Sequence, residues 1–543
     1  MEKQQEGGLV VGPIPDKQDL DLETGSTDIN SQAPPSTDPD VVDWDGPDDP
    51  KNPMNWPPRK KNTIVALISL ITFITSVLTQ ESAPIDDVGI LTVSRPLASS
   101  VFAPAINQVM AEFNSTDEQL ASFIVSVYLL GFCFGPLVLA PLSEMYGRLW
   151  IYHICNVLFI VFNVACALAP NLAGLIVFRL LAGLFGCCPL TLGAGSIADI
   201  IPQERRGAAM AFWAMGPILG PIIGPIAGGY LTQAKDWRWT FWVVAMLAGV
   251  ITIIGAVFMR ETYAYTILEK KTKKLRAETG NEKLRSAADT GVTPQELFSA
   301  SIIRPTKMLL FSPIILLLSL YMAIIYGYLY LLFTAMPTLY ATQYGFSTGS
   351  IGLTYIGSGI GSILGLALSG GLSDRLMKRL TAKNGGEPKP EYRLPTMVVA
   401  SFFVPLGLFV YGWTAEKNLH WILPIVGMGF LSFGMMCAFV SCPLNLFLSL
   451  NFSLTSSKMG ISVYIVDAYT RYAASAMSAT TVLRSLVGAL LPLVGGRMYN
   501  SLGYGWGTSL LAFIAVAMIP VPVVFLMYGE KIRQKTFFNV NIY

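Results

Sequence analysis

Apolar runs separated by short polar stretches dominate the chain from residue 62 onward. Most of these runs are about 20 residues long, the length of α-helix that crosses ~30 Å of hydrocarbon. Their number and spacing predict twelve membrane-spanning helices. The predicted spans lie near residues 63–75 continued at 97–111, 119–142, 150–169, 173–197, 207–231, 239–259, 311–337, 347–370, 395–414, 420–446, 470–495 and 507–528.

The polar stretches divide the chain into five regions. Residues 1–61 are rich in Asp, Pro, Ser and Gln, lack apolar periodicity, and predict a disordered leader. Residues 62–259 and 311–529 each hold six predicted spans, the charged residues 260–310 link them, and residues 530–543 form a tail. The expected fold is an all-α membrane protein with twelve transmembrane helices in two pseudo-symmetric six-helix bundles.

Basic residues between the spans set the expected orientation. Arg59, Lys60 and Lys61 precede the first apolar run, and Lys and Arg recur on the same predicted side of the membrane in later loops and in the tail. Cytoplasmic loops carry such an excess. Both termini of this multi-pass protein are therefore expected in the cytoplasm. The plasma membrane is the expected location, with the vacuolar membrane as the alternative. Asn114 heads an Asn-Ser-Thr sequon in an opposite loop and is a candidate for glycosylation.

A short signature recurs at the same place in both predicted bundles. Pro141-Leu-Ser-Glu-Met-Tyr-Gly-Arg148 follows the second span, and Gly371-Leu-Ser-Asp-Arg-Leu-Met-Lys-Arg379 follows the eighth. Such a repeat is typical of transporters built from two related halves, with substrate bound between them. Charged side chains at a helix end can bond neighbouring helices and latch one conformation, or they merely cap a loop. The candidate residues are Ser143, Glu144, Gly147, Arg148, Asp374 and Arg375.

One cation lies inside an apolar run. Arg179 occurs in Val177-Phe-Arg-Leu-Leu-Ala-Gly-Leu-Phe-Gly186 of the fourth span. A charge within a span is costly unless it faces a cavity or a partner, so Arg179 is a candidate functional residue. The alternative is that its long side chain extends to the nearby end of the span and reaches water.

The fifth span carries Gly and Pro at four-residue spacing, in Gly216-Pro-Ile-Leu-Gly-Pro-Ile-Ile-Gly-Pro-Ile-Ala-Gly-Gly229. This spacing aligns the glycines on one helix face, which lets another helix approach closely. The prolines remove backbone hydrogen bonds and bend the helix. A purely structural packing seam is the alternative to a functional interface. The residues concerned are Gly216, Pro217, Gly220, Pro221, Gly224, Pro225, Gly228 and Gly229.

Aromatic residues concentrate in the seventh span, where Tyr326 and Tyr330 are candidates for lining a pocket. Flat amphipathic ligands stack on such rings, and the hydroxyl adds a hydrogen bond. Packing in the core or against lipid explains the tyrosines equally well. Arg484 of the eleventh span is a second intramembrane cation and a further cavity candidate.

Together these segments resemble the major facilitator superfamily. The signature that ends at Arg148 is similar to motif A, although Ala140 stands where the family usually has Gly. The segment around Arg179 is similar to motif B, and the Gly-Pro repeat is similar to motif C of the antiporters. Four further segments resemble the fungal branch of the twelve-span drug:proton antiporters, with the whole match covering roughly residues 45–530. They are Trp237-Arg-Trp-Thr-Phe-Trp242, Arg260-Glu-Thr-Tyr263, Ile267-Leu-Glu-Lys-Lys271 and Val466-Asp-Ala-Tyr-Thr-Arg-Tyr-Ala-Ala474.

The resemblance implies the major facilitator fold and export of small amphipathic compounds, such as drugs, toxins or secondary metabolites, by alternating access. In this family the export is driven by inward flow of protons, with no cofactor, and the arginine at position 179 is linked to proton coupling. The partners implied are a small-molecule substrate, protons and the lipid bilayer, and no oligomer is required.

Composition supports the membrane interpretation and argues against an enzyme. Of 543 residues, 52% are hydrophobic and 13% are charged, which is more apolar surface than a soluble core of this length hides. A net charge of +2 gives no sign of a nucleic-acid partner. The seven cysteines lack metal-ligand spacing and there are only two histidines, so neither a metal site nor a catalytic centre is expected.

Two other functions are left open by the sequence. The same fold serves carriers of polyamines, siderophores or nutrients, although the few acidic residues within the spans argue against polyamines. A non-transporting membrane receptor is the other alternative, and a receptor would more naturally carry a folded domain outside the membrane.

Two polar segments interrupt the apolar pattern. Residues 76–96 break the first span and residues 441–462 break the tenth, and removal of either segment joins its flanks into one continuous apolar run. We interpret them as unusual inserts or translated introns. If they instead loop out harmlessly, their backbone must lie in water or protein because lipid offers it no hydrogen bonds.

Overall fold

The computed structural model describes residues 40–74, 105–202, 206–289, 294–383, 394–439 and 473–528, and most of these residues are helical. The described helices before the linker are α1 (Pro58–Ile74), α2 (Ile106–Glu112), α3 (Glu118–Tyr146), α4 (Arg148–Ala167), α5 (Leu172–Gly186), α6 (Cys188–Ile200), α7 (Arg206–Ala234) and α8 (Trp237–Phe258). The linker carries α9 (Ala264–Thr279) and α10 (Pro294–Phe311). After it come α11 (Pro313–Thr342), α12 (Thr348–Thr354), α13 (Ile356–Lys383), α14 (Leu394–Ser401), α15 (Phe403–Glu416), α16 (Ile422–Phe439) and α17 (Ala473–Met518).

Eight stretches of the described chain are long and apolar enough to cross a membrane. Seven of them follow predicted spans one for one, and the eighth, Ser478–Tyr528, covers the predicted eleventh and twelfth spans together. Gly503 interrupts that last stretch with a φ of 73°, which marks the boundary between its two spans. The predicted inserts at 76–96 and 441–462, together with residues 1–39 and the tail, lie outside the described residues.

Three predicted spans each consist of two helices that meet at a single residue. The junctions are Cys187 between α5 and α6, Tyr355 between α12 and α13, and Phe402 between α14 and α15. At the first junction, Pro189 occupies the first turn of α6. Proline has no N–H to bond the preceding turn, so the α5 hydrogen-bond pattern stops there and a new helix begins.

Each half of the chain packs around its own buried side chains. Before the linker, α4 packs against α5 and α8, and α3 packs against α5. After the linker, α11 packs against α17, while α13 and α15 pack against α16. Leu129 of α3 joins the core of the second half. The two halves therefore meet along α3.

Residues 40–57 form an ordered segment, which we call the N-terminal strap, so the prediction of disorder through residue 61 is wrong for this part. Strand β1 (Val41–Val42) pairs in parallel with β2 (Arg285–Ser286) of the linker. Lys271 of α9 donates hydrogen bonds to the Asp43 carbonyl and the Asp45 carboxylate, and the bond to Lys271 lowers the pKa of Asp45. The composition of the strap does not predict this order, because the strap packs against the basic linker, which lies far away in the sequence.

Charge reversal at Lys271 should release the strap. In Lys271→Glu, repulsion from Asp45 replaces the contact seen here, so an aspartate-specific protease should cut within residues 40–57 several-fold faster than in the wild type. The matched control is Lys270→Glu, which makes the same charge change at the exposed neighbouring position. Equal cleavage rates in the two variants would show that the strap does not depend on this contact.

Candidate functional site

A poorly exposed ion pair lies at the end of the bundle that carries the linker. Arg148, the first residue of α4, donates from Nε and Nη2 to the carboxylate of Asp199 near the end of α6. The two side chains are 13% and 17% exposed. A pair withdrawn from water stabilises only when further hydrogen bonds satisfy its remaining polar atoms. We call this end of the bundle the linker end and the opposite end the far end.

Glu261, just after α8, supplies those further contacts. Its carboxylate accepts hydrogen bonds from the N–H groups of Arg148 at 3.1 Å and Leu149 at 3.2 Å, at a helix N-terminus where negative charge is favoured. Gly147 has a φ of 91°, and a Cβ there would lie 2.4 Å from Glu261 Oε2. The turn therefore requires glycine. Burial raises the pKa of Tyr263, whose ring lies 5.0 Å from the Arg148 guanidinium, to about 12.

We call Arg148, Asp199, Glu261 and Tyr263 the linker-end cluster. The sequence identifies Gly147 and Arg148 as candidates but misses Asp199 and Glu261. The sequence does carry one signal for these two acids. Each lies just after the end of a predicted span, on the same side of the membrane as Arg148. Opposite charges that share a membrane face and a half of the chain are natural partners for an arginine.

The other signature residues have different roles. Ser143 donates a hydrogen bond to the Ala140 carbonyl at 2.7 Å, within its own helix. Within the described chain, the ion pair of Arg148 is with Asp199 and not with Glu144. Asp374 and Arg375 lie toward the linker end of α13, and the structure describes their backbone alone.

Arg179 is held inside the first half of the chain. Its side chain is 1% exposed, and it donates hydrogen bonds to the carbonyls of Ile124 at 2.7 Å and Val125 at 3.4 Å. The rings of Tyr128 and Phe241 lie 6.0 Å and 5.7 Å from the guanidinium. Arg179 therefore ties α5 to the backbone of α3 and does not extend to water.

The Gly-Pro repeat of α7 contacts the second half of the chain. A Cβ on Gly352 of α12 would lie 2.3 Å from the Pro225 carbonyl oxygen, and a Cβ on Gly229 would lie 2.7 Å from the Thr348 carbonyl oxygen. Two backbones approach this closely only where side chains are missing. Gly220, Gly224 and Gly228 are buried as well, whereas the surroundings of Gly216 and the side chains of Pro217 and Pro221 lie outside the described part.

A second contact joins the halves between α3 and α17. Ser126 donates a hydrogen bond to the Ala489 carbonyl at 2.8 Å, and Gln119 donates to the Leu493 carbonyl at 3.2 Å. Both donors lie in the first turns of α3, at the end of the bundle opposite the linker. We call the α7–α12 and α3–α17 contacts together the far-end seal.

The aromatic candidates come together with the second cation. The Arg484 guanidinium lies 5.0 Å from the Tyr326 ring. The rings of Tyr326 and Tyr330 have centroids 4.9 Å apart, and their hydroxyls are 3.4 Å apart. These three residues lie near the middle of α11 and on the facing part of α17. They form a cluster of two rings and a guanidinium that we call the mid-bundle cluster, in which Tyr330 is buried.

Two further features lie away from these clusters. Asn114 is exposed at the far end, in the turn between α2 and α3, with a φ of 51°. An apolar cavity of about 770 Å³ lies between α13 and α16 and is lined in part by Ile360 and Leu364. Both of these side chains are 55% exposed, so the cavity opens toward the surrounding hydrocarbon and is separate from Arg484.

Removal of the charge on Asp199 should destabilise the first half of the chain. Asp199→Asn leaves the Arg148 guanidinium without its anionic partner in a poorly exposed site, which costs roughly 2 kcal/mol or more, seen as a lower thermal midpoint of the purified protein. The control is Glu278→Gln, which neutralises a 56% exposed partner of Lys274 and should change stability by less than about 0.5 kcal/mol. Equal midpoints would contradict a stabilising role for the linker-end cluster.

A side chain at Gly352 should wedge the far-end seal open. In Gly352→Val the new methyl groups meet the Pro225 carbonyl, whereas Gly249→Val, the control, places its Cβ where nothing lies within 4 Å. Ser126→Cys, combined with each variant in lipid nanodiscs, reports on the α3–α17 contact because Ser126 is 0% exposed. For each glycine variant, labelling measured in the absence of Ser126→Cys is subtracted as the background from the native cysteines. After this subtraction, we expect maleimide to label Cys at this position faster with Gly352→Val and not with Gly249→Val. Unchanged labelling would show that the two contacts open independently.

Comparison with known proteins agrees with this architecture. The profile of the Major Facilitator Superfamily matches residues 88–464. The MFS-type transporter penM of Penicillium rubens is 54% identical over 97% of this chain and 96% of its own length. The efflux pump radE of Floropilus chiversii is 48% identical over 93% of this chain and 87% of its own. The partially occluded inward open structure of the xylose transporter XylE from E. coli has a TM-score of 0.58 at 14% identity, covering 87% of this chain and 98% of that one.

These similarities confirm the predicted all-α major facilitator fold and a multi-pass membrane protein that handles small molecules. They also confirm that the chain is a transporter and not an enzyme. The resemblance to fungal efflux-type transporters is confirmed by the relatives themselves. The chain belongs to the major facilitator superfamily of membrane transporters.

Proposed function

We propose that the chain exports small amphipathic compounds, such as drugs, toxins or secondary metabolites, across the plasma membrane in exchange for protons. The observation that carries the proposal is the far-end seal. Two separately packed halves meet there through close backbone contacts between α7 and α12 and through hydrogen bonds from side chains of α3 to backbone carbonyls of α17. A transporter of this kind alternates between states by rocking its halves about the substrate site.

The orientation gives the seal its role in export. The linker end carries Arg148, Arg260 and the lysines of α9, and such basic residues favour the cytoplasmic side. On this orientation both termini are cytoplasmic and the seal faces the outside. The state described here then loads substrate from the cytoplasm, which is the first step of an export cycle. The naming of one relative as an efflux pump supports the same direction.

Proton coupling fits the position of Arg179. A buried guanidinium that donates to the carbonyls of Ile124 and Val125 makes the packing of α5 on α3 depend on nearby charge, because low-dielectric surroundings strengthen every charge interaction. Arrival of a proton in this half would then shift α3, which also carries Ser126 of the far-end seal. The proton gradient would thus act on the seal through α3, and the cycle would need no cofactor.

Efflux from pump-deficient yeast tests the proposal. Cells that express the full chain should retain at least one of a set of neutral, anionic and cationic fluorescent amphiphiles several-fold less than cells with empty vector. A protonophore should abolish the difference. The inactive control is Gly352→Val, and its partner Gly249→Val should retain efflux because its added atoms meet no neighbour.

The outcomes separate the two parts of the proposal. Unchanged retention of every compound would contradict export. Efflux that persists undiminished with the protonophore would contradict proton coupling while leaving export in place.

A further inference from the structure

A small cavity lies inside the second half of the chain, where three helical segments meet. Its volume is about 10 Å³, and its walls include Tyr321 and Tyr328 of α11, Ser401 at the end of α14, and Ala515 and Met518 near the end of α17. This is about the least volume that holds one water molecule, and it is too small for an organic ligand. Tyr321, Tyr328 and Ser401 are each at most 2% exposed, so these polar residues are withdrawn from lipid and from bulk water.

Tyr321 brings a polar atom that needs a partner to this cavity. Its hydroxyl oxygen is buried and has no hydrogen-bond partner among the described residues. Tyr328, two turns further along the same helix, instead donates to the Leu511 carbonyl at 3.0 Å. Buried polar groups are nearly always hydrogen-bonded, to protein or to ordered water. The position of Tyr321 in the wall of a water-sized cavity therefore points to water as its partner.

The junction between α14 and α15 supplies a second polar group at the same cavity. In a continuous helix, the Ser401 carbonyl would accept a hydrogen bond from the N–H of residue 405. Residue 405 is proline, which has no N–H. The neighbouring bonds are long as well, at 3.4 Å from Phe402 N–H to the Val399 carbonyl and from Leu406 N–H to the Phe402 carbonyl. The Ser401 carbonyl is thus an acceptor that has lost its usual helical donor.

We propose that this cavity binds one ordered water molecule, which bridges the Tyr321 hydroxyl of α11 to the Ser401 carbonyl at the α14–α15 junction. The water donates one hydrogen to this carbonyl and accepts the hydroxyl hydrogen of Tyr321. Its second hydrogen is available to the hydroxyl oxygen of Tyr328 or Ser401, which line the same cavity. Buried waters make about three such bonds. The water then ties α11 to a helix junction that proline leaves short of hydrogen bonds.

Radiolytic labelling tests for the water. Hydroxyl radicals produced from a bound water by a short X-ray pulse oxidise the side chains beside it, and the methionine in the cavity wall, Met518, is readily oxidised to the sulfoxide. In the full chain in nanodiscs, we expect Met518 to be oxidised several-fold faster than Met428 of α16, which is 0% exposed. Equal rates at the two methionines would overturn the proposal.

Filling the cavity should remove the label. Ala515→Val adds two methyl groups to the cavity wall and leaves no room for water, so the excess oxidation of Met518 should be lost. The matched control is Ala517→Val, which makes the same change at an exposed position of the same helix and should keep the excess. Excess oxidation that survives Ala515→Val would show that its source is not a water in this cavity.

The sign of a stability change gives a second, independent test. Tyr321→Phe removes one oxygen and adds no larger group. If water bridges this hydroxyl, the thermal midpoint of the purified protein should fall by about 1 °C, because a satisfied bond is lost. If the cavity is dry, the midpoint should rise, because the change removes a buried hydroxyl that has no partner.

A tyrosine with a direct protein partner calibrates this shift. Tyr355→Phe loses the bond to the Phe333 carbonyl, 2.8 Å long, and should lower the midpoint. A midpoint that rises in Tyr321→Phe while it falls in Tyr355→Phe would overturn the proposal. If Ala515→Val fails to elute as a folded monodisperse species, the wild-type label and the sign of the Tyr321→Phe shift decide.

Discussion

The bilayer offers no water to a buried polar group, and this constraint shapes the contacts within the spanning helices. Several polar side chains within the helices bond to backbone carbonyls of neighbouring helices. Arg179 bonds to α3 in this way, Tyr328 donates to the Leu511 carbonyl, and Tyr355 donates to the Phe333 carbonyl. Because each such bond satisfies a group that lipid cannot, polar residues fix which helices are neighbours, while apolar packing supplies the bulk of the contact.

The two ends of the bundle use different chemistry, and the difference suits different tasks. The members of the linker-end cluster, Arg148, Asp199, Glu261 and Tyr263, all contact one another within the first half or at its end. The cluster therefore clamps helices within one half and does not hold the halves together. The far-end seal instead joins the halves through glycine contacts and single hydrogen bonds from Ser126 and Gln119. Water can replace those bonds when the seal opens, so opening exposes no unpaired charge.

Helix positions followed from the sequence because a spanning helix must be apolar over its whole length, and α3, α4 and α8 lie within a few residues of their predicted bounds. The glycine face of α7 was also predictable, since missing side chains at four-residue spacing have few uses besides close approach. Its partner, the Gly352 region of α12, was not predictable, because nothing in one sequence says which helix lies opposite. The same holds for Asp199 and Glu261, whose pairing with Arg148 depends on how α4, α6 and α8 pack. Order in the N-terminal strap was missed for a related reason, because its stabilising contacts come from α9 and β2, more than 200 residues later.

The strap and the linker bear on how the halves move relative to each other. Glu261 and Tyr263 fix the start of the linker to the first half, and β1 with Lys271 fixes residues up to Ser286 to the strap that precedes α1. The linker through α9 therefore moves with the first half as one body. In contrast, α10 contacts α3 of the first half and α11 and α17 of the second. If the halves rock, α10 cannot keep its contacts with all three helices. The rearrangement at the linker end must therefore occur at α10, while the strap, α9 and the linker-end cluster keep their contacts.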